Sequence, residues 1–511
     1  MKAKNIFNLF IFVVILSLSS CSLEEVPYGF YNSGNFFQTE EDAIAGLMYA
    51  YVPIPSYRGL SQSFLYANSL SSEEFTLKSD AGSDQHDLDR NQQDGSNNTA
   101  TRETFLILYL VTGRANTLIE HIPDIKMDEN ERNHMLGEAY FLRAYGYYNL
   151  VRLFGKVPLR LQTLDGFELV GKELSPIQEI YEKSIIPDLI EAENLMDANI
   201  RRGRANKVAA QGLLANAYLF LASAKESGLE GYEFVPDAAL YYEKAKVEAA
   251  KVIHPETSTV FGFDNDYLNI FNVEKETSPE LIFYTISSLA TVGVKNLAST
   301  LTTPYCSEQT FMVPAQHGGF SSYYGWEHMW VEVPFYNTFD DADKRKKAFF
   351  CTELTVAGKV HTWDNGTLYV DGVPNSAGYC KRPFATKFLD SNNDGDTGNR
   401  YTLVRYSEVL LTYAEACGNS SEGVAALNQI RTRAGLSPYS TSDFANDADY
   451  RKAVVQERAW ELCFEFQRVY DLRRTKGMEA MAAKYGKTLV KNYYFYEIPQ
   501  EEYDYNPGLK R

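Results

Sequence analysis

Cysteine is scarce, with six in 511 residues, and no two of them stand at CxxC spacing. That spacing deficit excludes a zinc ribbon and leaves no framework of paired cysteines to staple a small fold. Basic residues are outnumbered, 49 Lys and Arg against 67 Asp and Glu, for a formal charge of -18. A surface of that sign repels phosphate backbones and anionic lipid, so nucleic acid is not an expected partner. Beyond the first twenty residues no apolar run approaches the 18 residues needed to cross a bilayer as a helix. Also missing are a GxSxG elbow, an HExxH pair, a P-loop and a dinucleotide fingerprint, and the 7 histidines are scattered. A pair of carboxylates poised about a glycosidic bond is no signal in a chain with this many acids. Nothing in the sequence asks for catalysis or for a required cofactor.

The leader is the first positive feature. Lys2 and Lys4 precede an apolar stretch from Ile6 to Leu18, followed by Leu18-Ser19-Ser20-Cys21. At roughly 1.5 Å per residue that stretch is too short to span, and its charged start and small-residue end describe a cleaved export signal. Leu-Ser-Ser-Cys resembles a bacterial lipobox, so residues 1–20 are expected to be removed and Cys21 lipidated. Several acyl chains hold a protein on a membrane durably, at about 0.8 kcal/mol per buried methylene. Loss of the two lysines leaves the mature chain at -20.

Most of the remainder reads as helix. The spacing predicts helices over Thr39–Tyr51, Thr101–Ile122, Asn130–Phe154 and Pro176–Ala198, with a kink or restart at Pro187. Asn206–Lys225 places Leu213, Ala217, Phe220 and Ala224 on one face, and Asp237–Val252 folds back on it. The alternation of small and aromatic residues in this pair is that of a degenerate tetratricopeptide hairpin, and a second pair recurs at Val404–Cys417 and Glu422–Ala434. The fold class is therefore mainly α, a tetratricopeptide-like helical-hairpin scaffold with long loop-rich insertions and a few short strands. The mature chain, residues 21–511, reads as one domain. Its scaffold covers about 38–255 and 400–475, and a loop-rich ligand-binding region covers about 256–399. Within the latter, Val360–Asn375 alternates like a hairpin about Asp364-Asn365-Gly366. Cys351 and Cys380 are close enough in this region for one bridge.

An ordered series of motifs runs through the C-terminal third. It includes Val404-Arg405-Tyr406-Ser407-Glu408-Val409-Leu410-Leu411, Leu427-Asn428-Gln429-Ile430-Arg431-Thr432-Arg433-Ala434-Gly435-Leu436, and Glu457-Arg458-Ala459-Trp460-Glu461-Leu462. Phe464-Glu465-Phe466-Gln467-Arg468, Asp471-Leu472-Arg473-Arg474 and Ile498-Pro499 follow. With Arg143-Ala144-Tyr145, Phe154-Gly155-Lys156-Val157-Pro158 and Asp340–Arg345 upstream, the chain strongly resembles the SusD/RagB family of Bacteroidetes outer-membrane lipoproteins. It departs at the end, closing on Leu509-Lys510-Arg511 where many relatives finish with Gln-Asn. The resemblance implies a non-enzymatic, surface-exposed, lipid-anchored protein that binds oligosaccharide or polysaccharide and delivers it to a SusC-like TonB-dependent transporter. The alternative is a lid that gates the transporter for peptides or other nutrients, with little sugar affinity of its own.

The family motifs themselves read as scaffold. Glu457, Glu461 and Glu465 recur every four residues, within reach of Arg458, Arg468 and Arg473 or of arginines elsewhere. Trp460 in the same stretch is expected in the core. Ligand contacts are expected in the loops, where 36 Tyr, 30 Phe and only 4 Trp leave an uneven distribution. Phe320, Tyr323, Tyr324, Trp326 and Trp330 form the densest aromatic loop, and with Trp363 they make a candidate stacking platform for sugar rings. Tyr57, Tyr66, Asp84, Asn91 and Gln92 are secondary candidates. Asp390, Asn392, Asp394 and Asp396, with Gly395 at the sixth position, resemble half of a calcium loop. Tyr401 stands where the bidentate Glu belongs, so a structural calcium completed by remote ligands and a plain surface turn both remain open. Lys344–Lys347 reads as a solvated helix face or a contact for an anionic glycan.

Overall fold

The computed structural model describes residues 36–509 apart from 56–61, 92–96, 165–169, 255–260, 274, 276–277, 287–309, 320, 323–324, 391–397 and 491–492. The leader and Cys21 lie outside the described residues.

Helix α1, Glu40–Tyr51, starts at a reciprocal cap. The Thr39 hydroxyl accepts from Asp42 N, and the Asp42 carboxylate accepts from Thr39 N at 2.8 Å. Asn98 caps α2, Thr99–His121, and Asp128 caps α3, Glu129–Phe154. Next comes a short helix whose ladder loosens into a π turn at Tyr181–Ile185 before α4, Ile186–Leu195, which carries Pro187 in its first turn. Proline has no N–H to give the preceding turn, so the predicted restart falls where the backbone bonds change register.

Helix α5, Lys207–Ser227, is capped by Asn206 and stopped by Gly228 at φ 69°. It was expected to bury one face, yet every residue from Val208 to Ala224 is buried. The reason is its central place, with α4 and α6, Ala238–Ile253, packed on different sides. Helix α6 also packs on α7, Tyr406–Cys417, which pairs with α8, Ser421–Ala434. Helices α6 and α7, remote in sequence, therefore pack side by side. The expected helix start at Val404 is wrong by one element, because Thr402–Arg405 is a strand.

The intervening segment and one early strand supply the sheets. Strand β1, Phe75–Leu77, pairs antiparallel with β5, Met329–Val331. Strand β2, Leu281–Tyr284, pairs with β12, Thr402–Arg405, and β6, Phe350–Cys351, with β11, Phe384–Ala385. Among the described residues the largest sheet is ordered β10-β9-β8-β7-β3-β4. These strands are Val373–Pro374, Thr367–Val370, Lys359–Asp364, Glu353–Val356, Phe311–Met312 and Ser321–Ser322. The predicted Asn365-Gly366 turn is there, with φ 44° and 89°, and Ala357-Gly358 and Asp371-Gly372 repeat it at the adjoining corners. Each turn has two left-handed residues, the geometry that matches strand twist.

This sheet encloses its own small core of Phe311, Val313, Leu354, Val356, Trp363 and Leu368. Cys351 and Cys380 lie in it as free buried thiols, so the bridge between them is not formed. The Cys351 thiol donates to the Glu353 carbonyl at 2.8 Å, and burial pushes it up to about 12.

The family acids form an ion network in the main core. Helix α9, Asp447–Glu461, presents Glu457 and Glu461 and then ends. Phe464 and Phe466, both fully buried, take left-handed φ of 68° and 64° in the bend before α10, Arg468–Arg474. Glu465 therefore sits on a strained bend and not on a helical stripe with the other two. The partners are mostly remote: Arg345 meets Glu457 and Glu461, Arg405 meets Glu280, Glu461 and Glu465, and Lys387 meets Glu465. Arg458 and Arg468 pair instead with Asp471 and Glu73, and Arg473 donates to the Arg152 and Leu153 carbonyls. Arg345 is completely buried in this network, whereas Lys344 and Lys347 of the same basic run face solvent. Trp460 packs half-buried against this core and donates to Thr338 Oγ1 at 3.0 Å.

Glu74 ties β1 to the bend by accepting from Phe464 N at 3.0 Å. Burial raises its carboxyl to about 8. A raised acid stabilises the fold fully below its unfolded value, about 4.3, and that contribution is lost as pH rises through 8. Glu74→Gln keeps the acceptor and removes the titration. Its melting temperature is expected to match wild type at pH 5 and exceed it at pH 9; equal values at both would refute this assignment.

Candidate functional site

The strand pair β1–β5 builds the candidate surface. Its register sets Thr76 opposite Trp330, with Phe75 opposite Val331 and Leu77 opposite Met329. Side chains alternate across a strand, so Met329 and Val331 are buried while Trp330 and Thr76 turn outward, half-buried. The pairing continues past the strands, through Lys78 N to His328 O at 2.9 Å and Glu332 N to Glu74 O at 3.1 Å. Trp330 thus stands on a backbone fixed at both ends.

Polar groups gather beside it. The Arg382 guanidinium lies 5.3 Å from the Trp330 ring centroid, within cation–π range, and 3.8 Å from the Glu332 carboxylate. Burial raises the Glu332 carboxyl above its ordinary range. Trp326 is half-buried too, its ring 5.7 Å from His328 and tilted by 32°. Between these two lies Glu327 at φ 50°, a left-handed residue without glycine's freedom, and this turn separates Trp326 from the strand. Lys78 pairs with Asp80 at 3.1 Å, and that contact holds the Asp80 carboxyl below its usual range. The depression bordered by Glu327, Trp330, Tyr379, Lys381 and Arg382 encloses about 20 Å³. That is far below the 300–1,000 Å³ of sites that engulf a small molecule. The depression is a shallow surface feature and not an engulfing pocket.

Of the sequence candidates, Trp330 stands on this surface, and Trp326 lies beside His328 just ahead of the strand. Trp363 does not join them. It points inward from β8, 5% exposed, with its ring edge-on to Tyr336 at 5.6 Å in the small core. Phe320, Tyr323 and Tyr324 lie outside the described residues. Among the secondary candidates Tyr66 and Asn91 are buried, Asp84 accepts from Thr99 N at 2.9 Å, and Tyr57 and Gln92 lie outside the described residues.

For the calcium candidate, Asp390 is buried and accepts from Gly398 N at 2.6 Å, while Asn392, Asp394 and Asp396 lie outside the described residues. Among the described residues no group of three or more His, Cys, Asp or Glu is placed to hold a metal ion.

The sequence reading passed over a wide concavity, a groove of about 1630 Å³. It runs between the C-terminal segment Tyr493-Tyr494-Phe495-Tyr496, the turn after α5, and residues 174–178. Four consecutive aromatics were its signal in the sequence.

Comparison with known proteins gives a consistent result. Residues 332–511 match the SusD family, and residues 41–219 match a family described as starch-binding and associating with the outer membrane. The SusD-like protein P2 of Formosa agariphila is 28% identical over 485 residues, covering 91% of this chain and 89% of its own. The structure of a laminarin-binding SusD-like protein superposes with a TM-score of 0.73 at 21% identity, covering 93% of this chain and 100% of that one. Surface glycan-binding protein A from Bacteroides uniformis gives a TM-score of 0.70 at 21% identity, over 92% and 99% of the two chains. These two structures share the fold.

Proposed function

Because the chain belongs to the SusD/RagB family, we propose that it captures a glycan on the Trp326–Trp330 face and passes it to a SusC-like TonB-dependent transporter. It is a binding protein and not an enzyme. The observation that carries the reading is Trp330, held outward by the β1–β5 register with Arg382 over its ring. An indole backed by a strand is a rigid apolar plate, and a sugar offers it a face of C–H groups. The hydroxyls at the sugar's edge are served by charged neighbours such as Arg382, Lys381 and Glu327. A shallow site accepts an internal stretch of polymer as well as an end. The net charge of -18 favours neutral chains over polyanions. The lipid on Cys21 would hold the protein at the outer membrane, the location in the description of the family matched by residues 41–219. The names of the laminarin-binding and glycan-binding neighbours support the ligand class.

The test uses the soluble chain from Ser22 onward, in native gels cast with starch, laminarin and polygalacturonate and in calorimetry with the same glycans. Retardation by a neutral glucan and none by polygalacturonate is expected. Silence across all three, with copurification on the transporter intact, would transfer the function to gating.

A further inference from the structure

The groove beside the C-terminal segment is built, not incidental. Along residues 495–498 the side chains alternate: Tyr496 and Ile498 are buried, and Phe495 and Glu497 turn outward. Tyr496 pins the segment through its hydroxyl to the Ala67 carbonyl at 2.5 Å, and its backbone N–H donates to the Leu153 carbonyl at 2.8 Å. Phe495 lies against Gly155, where a Cβ would come within 3.2 Å of the ring and where φ is 71°. The positive φ calls for glycine there, and any added Cβ would crowd the ring. Tyr493 and Tyr494, ring centroids 4.8 Å apart, each donate a phenol hydrogen bond to a different oxygen of Glu479, Tyr493 at 2.7 Å. One carboxylate thus fixes two rings that the core buries only in part. Phe234 and Tyr503, also half-buried, complete a lining of five exposed aromatic edges and faces.

We propose that this groove is a second carbohydrate site and takes a neutral oligosaccharide; the proposal rests on the glycan-binding reading of the protein. Three observations carry it. The volume of about 1630 Å³ exceeds what one small molecule fills and suits a chain of several rings. The aromatics are held before any ligand arrives, so little ordering cost is left for binding. The border supplies Gln178, Glu230, Glu233 and Glu497 with Lys156 and Lys476, which can both accept from and donate to hydroxyls. With Glu479 the carboxylates outnumber the ammonium groups, which disfavours uronate or sulfated chains. Because the lining is distinct from the residues around Trp326 and Trp330, the two surfaces are separable by mutation.

The experiment titrates laminarin and starch oligosaccharides into wild type, a Tyr493→Ala, Tyr494→Ala variant and a Trp326→Ala, Trp330→Ala variant. Oxidative labelling of wild-type tyrosines, with and without saturating glycan, is run alongside. Loss of the tyrosine pair is expected to weaken binding at least about tenfold, the scale of an aromatic hot spot. Tyr493 and Tyr494 are expected to be protected from labelling. Should the tyrosine variant not fold, the labelling result decides. Unchanged affinity in the tyrosine variant, or unprotected tyrosines, with binding lost in the tryptophan variant, overturns the groove and leaves glycan capture standing. Binding lost in the tyrosine variant alone supports the groove and removes the Trp326–Trp330 face from the function. A wild type that binds neither glucan overturns both.

Discussion

Replacing Arg405 with alanine is expected to cost about 3–5 kcal/mol, the range for breaking a buried ion pair from one side. That is a large share of a typical domain's net stability, about 5–15 kcal/mol. Arg405 is 1% exposed and spends all its donors: Nε on Glu465 at 2.7 Å, Nη1 on Glu280 and Glu461 at 2.9 and 3.1 Å, and Nη2 on Glu465 and the Glu461 carbonyl at 2.9 and 2.8 Å. Its removal leaves three buried carboxylates sharing Arg345, Arg433 and Lys387. Lysine cannot replace it, because a three-donor point charge does not reach three carboxylates and a carbonyl at once. The urea midpoint of Arg405→Ala should fall sharply, and Arg405→Lys should recover little. A paired variant, Arg405→Met with Glu465→Gln, separates charge from packing. Balancing the charge should restore much of the loss, since apolar or neutral substitutes for buried ions are often tolerated. If the paired variant is as weak as Arg405→Ala, packing and not charge is the cause. The network also fixes the acid limb. Burial alone would raise Glu461, but Arg405, Arg433, Arg345 and Lys387 bring it down to about 2. A depressed acid contributes its full stability above the unfolded value, and loses it as pH falls through the folded one. Wild type should therefore weaken as pH drops from about 4.3 towards 2, and Glu461→Gln should lack that part of the slope.

The acids of this network were legible and their partners were not. Glu457 and Glu461 announce themselves by spacing on one helix, whereas Arg345, Arg405 and Arg433 arrive from other elements that only the tertiary fold assembles. Glu465 was misplaced for a related reason. Nothing in Leu462–Gln467 is glycine or proline, so the two left-handed phenylalanines gave no local warning of a bend. Where local chemistry decides, the sequence was sufficient: helices begin at Thr39 and Asn206, Pro187 marks a change of ladder, and Asn365-Gly366 turns a hairpin. Trp363 shows the limit for the site. In β8 the buried positions are His361 and Trp363, while Val360 faces solvent, so hydrophobicity does not reveal which way the strand points. The same ambiguity attends every ring in a loop-rich region, because a sugar platform and a small core are made of the same residues.

Replacing Trp326 and Trp330 together with alanine is expected to weaken neutral-glycan binding by about a hundredfold, roughly tenfold per stacked ring. The two losses need not add, since neighbours on one ligand couple. Binding should fail while the fold survives. The β1–β5 ladder is made by backbone groups, and its core contacts are made by Met329 and Val331, neither of which changes. An unchanged melting temperature with lost affinity would place the effect at the surface. Trp330→Phe discriminates further, because it keeps an aromatic plate on the same strand and should return part of the affinity. Arg382→Ala should cost less than either tryptophan, as it removes a rim hydrogen bond and the cation over the ring but leaves the plate. Salt supplies the last distinction. Stacking and neutral hydrogen bonds are little affected by ionic strength, whereas capture through Lys381 and Arg382 as charges would fall as screening lengths shorten. Wild-type affinity that holds from low to high salt, and disappears in the double variant, leaves the indole rings as the capturing groups. Affinity that persists in the double variant removes them from that role.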